Sequence, residues 1–291
     1  MRPSTGPVPR GLPGPAAVPL ALAVLLAALL AVLAGVPPRP AHGAQPRPVS
    51  ELFGREVRLL PESRPLVALT FNAAWDEAGI GDVLATLRRE GVPAAFFPTG
   101  RFAERHPGAV RAMAAQGFGL GNHSYSHPYF DRLDPEETAA EVLRADRAIR
   151  AAGRTEPLPF FRFPYSATTP RGIAAVNALG FADLEFTADT KGYLGASHGM
   201  TVDEAVRRAL AALRPGAVIQ MHVGSDDGGP VLDALALPRI VAGARARGYG
   251  FADLRAYAGR AYAGRPCPFI RSGQLPHPSP YSAYSRVTLC A

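Results

Sequence analysis

The stretch LVALTFNAAWDEAGIGDVLATLRRE, residues 66–90, changes its period halfway along. From Leu66 to Phe71 it is apolar except for Thr70, the pattern of a short strand buried on both faces. Ile80, Val83, Leu84 and Leu87 then recur at three and four residues, the spacing of a helix with one apolar face. A buried strand followed at once by a helix is the unit from which parallel α/β folds are built.

Working outward, the unit repeats. Ala94 to Phe97 reads as a strand and Pro107 to Gln116 as a helix, and Phe118 to Gly121 leads into GNHSYSHPYF, residues 121–130. Asp134-Pro135-Glu136-Glu137 carries a capping residue, proline at the first helical position and glutamate three after the cap, so a helix is expected to run toward Ala151. Phe160 to Phe163 and Phe181 to Phe186 read as strands. Thr201-Val202-Asp203-Glu204 repeats the capping logic for a helix to Leu213, and Ala217 to Met221 is the next strand. Leu237 to Arg247 and Tyr249 to Leu254 close the series with a helix and a strand. The alternation predicts an α/β fold, a parallel sheet or barrel in one domain over residues 65–257.

The flanks read differently. Arg2 and Arg10 precede an apolar run from Ala16 to Val36, followed by Ala41-His42-Gly43, the order of a signal peptide over residues 1–43. The run approaches the roughly 20 residues that span a bilayer, so the alternative is an uncleaved N-terminal membrane anchor. Either reading predicts a secreted or cell-surface protein. Residues 44–64 read as a Pro- and Arg-containing linker and 258–291 as an irregular tail. That tail holds both cysteines, Cys267 and Cys290, which in an exported chain are expected to form one disulfide. The formal charge is +7, but the arginines are dispersed rather than clustered, which argues against nucleic acid and for an anionic cell envelope. No protein partner is predicted.

In strand-helix folds, catalytic residues gather on loops at the C-terminal ends of strands, and the unusual polar residues fall there. Asn72 and Asp76 follow the first strand, His123 and His127 a later one, Arg162 and Tyr165 the Phe-rich one. Asp189 follows another, and His222 ends the strand before a glycine loop. Histidines at i and i+4 share one side of a helical turn, so both imidazoles reach one ion, as zinc sites require; two loop histidines without a metal are the alternative. His222 has a near-neutral ordinary pKa suited to moving a proton, and Asp189 is placed to orient it or to make a turn. Arg162 among aromatics needs a carboxylate or an equivalent set of hydrogen bonds if buried. Trp75, Tyr125 and Tyr193 offer aromatic faces to a sugar ring, or core packing.

Five ordered segments carry a resemblance: Leu69 to Trp75, His123 to His127, Arg162 to Tyr165, Asp189 to Tyr193, and Gln220-Met221-His222. Together they resemble the polysaccharide deacetylase family, the NodB-homology carbohydrate esterases of family 4, over roughly residues 65–255. The resemblance implies a distorted (β/α) barrel that hydrolyses the acetamide groups of N-acetylated cell-wall polysaccharide, of peptidoglycan or chitin type. It implies a divalent metal, commonly Zn2+, held by His123 and His127, an oxyanion donor at the Tyr165 N–H, and Arg162 orienting the acidic side of the site. His222, supported by Asp189, protonates the leaving amine.

The first motif departs from the family, which usually carries two adjacent aspartates, a general base and a metal ligand. Here those positions are Asn72 and Ala73; asparagine orients water without accepting its proton, and alanine ligates nothing. Asp76, in the same loop, has three open roles: third metal ligand, general base, or cap of the following helix. Tyr193 stands where the family commonly has tryptophan, and Gln220 where it has an apolar residue. The alternatives to an active deacetylase are a weakened member that binds cell-wall glycan, and a hydrolase of another non-peptide C–N bond on the same fold.

Overall fold

The computed structural model describes residues 49–258. The expected leader, the Cys267–Cys290 disulfide and residues 259–291 of the tail lie outside the described residues. Among the described residues no helix is long and apolar enough to cross a membrane.

The chain alternates strand and helix as the sequence requires. β1 (Leu66–Ala73), α1 (Ile80–Glu90), β2 (Ala95–Pro98), α2 (Gly100–Arg105), α3 (Pro107–Ala115) and β3 (Gly119–Leu120) form the first half. α4 (Pro135–Gly153), β4 (Phe160–Phe161), α5 (Pro170–Ala178), β5 (Ala182–Asp183) and β6 (Ala188–Asp189) follow, then α6 (Val202–Ala211), β7 (Val218–His222), α7 (Leu232–Ala246), β8 (Gly250–Phe251) and α8 (Arg255–Ala258). The capping box at Asp134 and Glu137 forms with both of its hydrogen bonds. Thr201 caps α6 by accepting from the Glu204 N–H. Three helices have no counterpart in the sequence reading: α2, six residues held by a Thr99 cap, α5, capped by Thr169, and the four-residue α8. α7 begins at Leu232 rather than Leu237 and carries Pro238 inside it, so the proline does not mark its start.

All strand pairs are parallel. The main sheet runs β3-β2-β1-β7-β6, with β8 on the N-terminal end of β1, and β4 pairs β5. Single bridges close the ring: Asn122 to Phe161 joins the β3 side to β4, while Val57 to Leu184 and Leu59 to Ala217 span the gap between β5 and β7. The bridging segment falls in the stretch expected to be a linker. That expectation is corrected over Leu52 to Leu60, because Leu52, Val57 and Leu60 are buried in the interior cluster with Ala68, Phe97 and Phe160. The result is a distorted (β/α) barrel with the helices outside.

Strand alternation decides what faces the barrel axis. On β1, Val67, Leu69 and Phe71 pack outward against Val83, Leu87 and Ile240. Ala68, Thr70 and Asn72 therefore point inward. β7 runs alongside, with Thr70 opposite Gln220 and Asn72 opposite His222. The same alternation sends Ile219 and Met221 outward, so Gln220 and His222 join Asn72 at the C-terminal mouth.

Candidate active site

Arg162 occupies the barrel axis and is fully buried. Its Nε donates to Leu184 O at 3.0 Å, Nη1 to Asn72 Oδ1 at 3.0 Å, and Nη2 to Thr70 Oγ1 at 3.1 Å and Glu185 O at 3.3 Å. The guanidinium lies 4.2 Å from the centre of the Phe97 ring. Every acceptor is neutral, so the charge is balanced only through space. Burial pulls the guanidinium down to about 10, opposed by Glu185, Asp189 and Asp183.

Glu185 also builds the turn after β4. Its Oε1 accepts from the Phe163 N–H at 2.9 Å and its Oε2 from Ser166 Oγ at 2.9 Å. This clamp holds Tyr165 and Ser166 at φ 59° and 50°, the left-handed region that side chains disfavour. The turn closes through Ser166 N–H to Phe163 O and Ala167 N–H to Pro164 O, bonds that do not use the Tyr165 N–H. The Tyr165 ring is exposed and stacks on Tyr129 at 4.0 Å.

Arg162 also fixes the Asn72 amide. A guanidinium only donates, so the oxygen faces Arg162 and Nδ2 faces His123 Nε2 and Gln220 Oε1, both at 3.2 Å. His123 is set in turn. Its Nδ1 lies 2.8 Å from the Arg162 carbonyl oxygen, which only accepts, so Nδ1 carries the proton and Nε2 the lone pair.

The histidine stretch is a loop, which corrects the helical-turn expectation: Ser124 and His127 have φ 67° and 64°. Glu141, from α4, holds it by accepting from the Tyr125 and Ser126 N–H groups and from Ser126 Oγ, while the His127 N–H donates to Ser124 Oγ. The loop still brings the imidazoles together, with ring centres 4.8 Å apart. Burial holds His123 well below its ordinary pKa and pushes His127 down to about 4, so both are neutral. His127 Nδ1 is buried without a hydrogen-bond partner.

On the opposite wall His222 sits under Tyr193, with ring centres 4.4 Å apart. Asp189 Oδ1 lies 4.0 Å from His222 Nδ1 and accepts the Lys191 N–H at 2.8 Å. A carboxylate that the sequence reading missed is nearer: Asp233 Oδ2, from α7, is 3.6 Å from the same nitrogen. Asp233 sits one helical turn beyond a glycine loop with no motif around it, so no sequence signal marked it.

These groups line one pocket of about 440 Å3 at the barrel mouth, with Asn72, His123, His127, Tyr165, Asp189 and His222 on its wall and Trp75 and Tyr193 at its aromatic edge. Asp226 also lines it, a second carboxylate not anticipated. Tyr125 does not reach the pocket: it is buried in the helical layer, its hydroxyl donates to Glu104, and Arg144 covers its ring. Its place as a sugar platform is corrected accordingly.

Asp76 does not join the histidines. It accepts the N–H of Ala78 at 2.9 Å and of Ser225 at 3.2 Å, tying the loop after β1 to the loop after β7. Helix α1 starts from Gly79 without a side-chain cap, so Asp76 is a loop tether rather than a helix cap. Among the described residues no three His, Cys, Asp or Glu side chains come together as a metal set. What fits an ion is the pair His123 and His127. Both imidazoles are neutral, His123 has the tautomer and the Nδ1–H to carbonyl bond usual in metal-ligating histidines, and His127 has an unpartnered buried nitrogen. Among the described residues no carboxylate accompanies them, and the Asn72 amide rests against the His123 lone pair.

Fold and pocket together define a (β/α)-barrel hydrolase site built on histidines. The family model for polysaccharide deacetylases matches residues 60–183. A chitooligosaccharide deacetylase of Bradyrhizobium sp. (strain ANU 289) is 36% identical over 162 residues, covering 56% of this chain and 72% of that protein. A peptidoglycan-N-acetylglucosamine deacetylase of Bacillus cereus is 28% identical over 195 residues, covering 67% and 68%. A CE4 family pseudoenzyme from Bacillus anthracis superposes with a TM-score of 0.64 at 22% identity, covering 72% of this chain and 70% of that one, a likeness of fold. The chain belongs to the polysaccharide deacetylase family, hydrolases of carbon–nitrogen bonds other than peptide bonds.

Proposed function

We propose that the chain is an exported, metal-assisted polysaccharide N-deacetylase, releasing acetate from N-acetylated amino-sugar polymers of the cell wall. The observation that carries this reading is the convergence of His123, His127, Asn72 and His222 on one pocket, with Arg162 bound behind Asn72, in a chain whose relatives are deacetylases. Export rests on the signal-like order of residues 1–43.

His123 and His127 would hold a divalent ion, Zn2+ being the usual one for two imidazoles, which supplies Lewis acidity toward the acetamide carbonyl and toward water. Arg162 locks Asn72, and Asn72 orients polar groups at the floor of the pocket. The Tyr165 N–H, on its strained turn, is placed to donate to an oxygen that becomes negative as the carbonyl is attacked. His222 gives the proton to the departing amine. Trp75 and Tyr193 provide faces for the C–H surface of a sugar ring.

The test is acetate release from N-acetylglucosamine oligomers and peptidoglycan by the full chain made with its leader in a secreting host, with Zn2+ and with a chelator, beside His222→Ala. Turnover lost on chelation and in the variant supports the reading. A folded, metal-loaded chain that binds glycan and releases no acetate supports the second reading, a weakened member, which the commitment of the Asn72 amide and the lack of a carboxylate beside the histidines among the described residues favour.

A further inference from the structure

We propose that Asp233, in the first turn of α7, is the principal positioning carboxylate of His222, ahead of Asp189. The proposal rests on the deacetylase reading for its kinetic consequence and on geometry for its substance.

Asp233 has no solvent exposure. Its Oδ2 accepts the His222 backbone N–H at 2.8 Å and lies 3.6 Å from His222 Nδ1. Its Oδ1 is buried with no hydrogen-bond partner, and so is His222 Nδ1. Two complementary unmet groups therefore share one enclosed space: a carboxylate that only accepts, and a ring nitrogen able to donate. Among the described residues no Lys or Arg side chain forms an ion pair with Asp233; its only charge partner is His222. A carboxylate is costly to bury for packing alone, so its place beside the imidazole calls for a functional account.

Asp189 is the weaker candidate on two counts. It is farther, at 4.0 Å, and its own carbonyl is bound by Arg208, which anchors the residue to the loop. Gly192 completes the case. A Cβ there would fall 2.3 Å from Asp233 Oδ1 and 2.5 Å from its Cγ, so Asp233 occupies the volume that any side chain at position 192 would need. Gly192 and Asp233 are one device read from two places in the chain.

A carboxylate facing Nδ1 keeps the proton on that nitrogen and leaves Nε2 as the one that exchanges protons with substrate. It also stabilises the imidazolium when His222 is charged. Asp233 touches no substrate and acts only through His222.

The test begins with the unsubstituted full chain labelled with 15N at histidine, His222 being assigned by comparison with His222→Gln. The Nδ1–H tautomer is expected, and an Nε2–H tautomer overturns the proposal whether or not the chain releases acetate. Asp233→Asn keeps an acceptor for the His222 N–H but removes the charge. It should lower kcat by roughly 10- to 100-fold with KM within about twofold, and weaken the tautomer preference. Asp189→Asn should cost less. Unchanged kcat in a folded Asp233→Asn, or a larger loss in Asp189→Asn, overturns the assignment. Should Asp233→Asn fail to fold, the tautomer in the unsubstituted chain decides.

Discussion

The two walls of the pocket solve opposite electrostatic problems. On the β7 side, the His222 ring has carboxylates at 3.6 and 4.0 Å, Asp233 and Asp189. On the β1 side, Arg162 is a positive charge whose four hydrogen-bond acceptors are all neutral, and among the described residues the histidines beside it have no carboxylate. The first arrangement suits proton transfer to a leaving group, while the second offers an ion two neutral imidazoles without a carboxylate to add charge or a third ligand. In the proposed reaction, the wall that would serve the leaving amine is therefore more completely built than the wall that would serve the attack. Fold alone does not report which wall works, since a pseudoenzyme shares this barrel.

The most direct way to break the comparison is His222→Ala. If the β7 wall carries the proton transfer, acetate release falls by roughly 10²- to 10⁴-fold, with binding of N-acetylglucosamine oligomers retained. Equal turnover would show that the better-built wall is not the working one.

Arg162→Met tests whether the β1 wall is held together by a cation without an ionic partner in contact. The variant strands Asn72 Oδ1, Leu184 O and Glu185 O without their donor and removes the charge opposite Glu185. A loss of about 3–5 kcal/mol in urea unfolding is expected, the scale for breaking a buried charge network from one side. A loss below about 1 kcal/mol would mean that water replaces the guanidinium, and that the axis is not as dry as its burial implies.

Asn72→Asp sharpens the contrast by giving the β1 wall its missing charge. Arg162 Nη1 already donates to position 72 at 3.0 Å, so a carboxylate there would stay ionised beside the guanidinium and face His123. Zn2+ affinity, read by competition with a chromophoric chelator, should rise roughly tenfold, and acetate release with it. No change in either would place the limitation elsewhere than in the missing carboxylate.

Much of this was legible in the sequence, for identifiable reasons. The apolar runs Leu66 to Phe71 and Ala217 to Met221 mark buried strands, and the polar residues at their C-terminal ends, Asn72 and His222, meet at one mouth. The Asp134 cap worked because its reciprocal Glu137 is local. What escaped depends on long-range contacts. Glu185, Asp233 and Asp226 belong to no motif, and only the folding of β5, α7 and a distant loop brings them to the site. Tyr125 and Asp76 were misplaced because one left-handed residue, Ser124, and one tether to the Ser225 N–H decide where their side chains point. The hydrophobic anchors Leu52, Val57 and Leu60 were hidden in a Pro- and Arg-bearing stretch that looked like a linker.

The smallest expected effect concerns a carboxylate hidden behind the β1 wall. Asp183 has no exposure, and neither of its oxygens has a hydrogen-bond partner. Burial, then Glu185, then Glu56 push its carboxyl well above the ordinary range. A carboxyl that titrates higher in the folded than in the unfolded chain favours folding fully below its unfolded pKa, and loses that contribution as pH rises through its folded value. Asp183 should therefore make the protein less stable at pH 8 than at pH 5, and Asp183→Asn should shrink that difference by about 1 kcal/mol in urea unfolding at the two pH values. Comparing variant with parent cancels the histidines, which titrate in both. If the slope is unchanged, Asp183 is ionised and gives Arg162 a buried counter-charge, so the β1 wall is less unlike the β7 wall than its hydrogen bonds suggest.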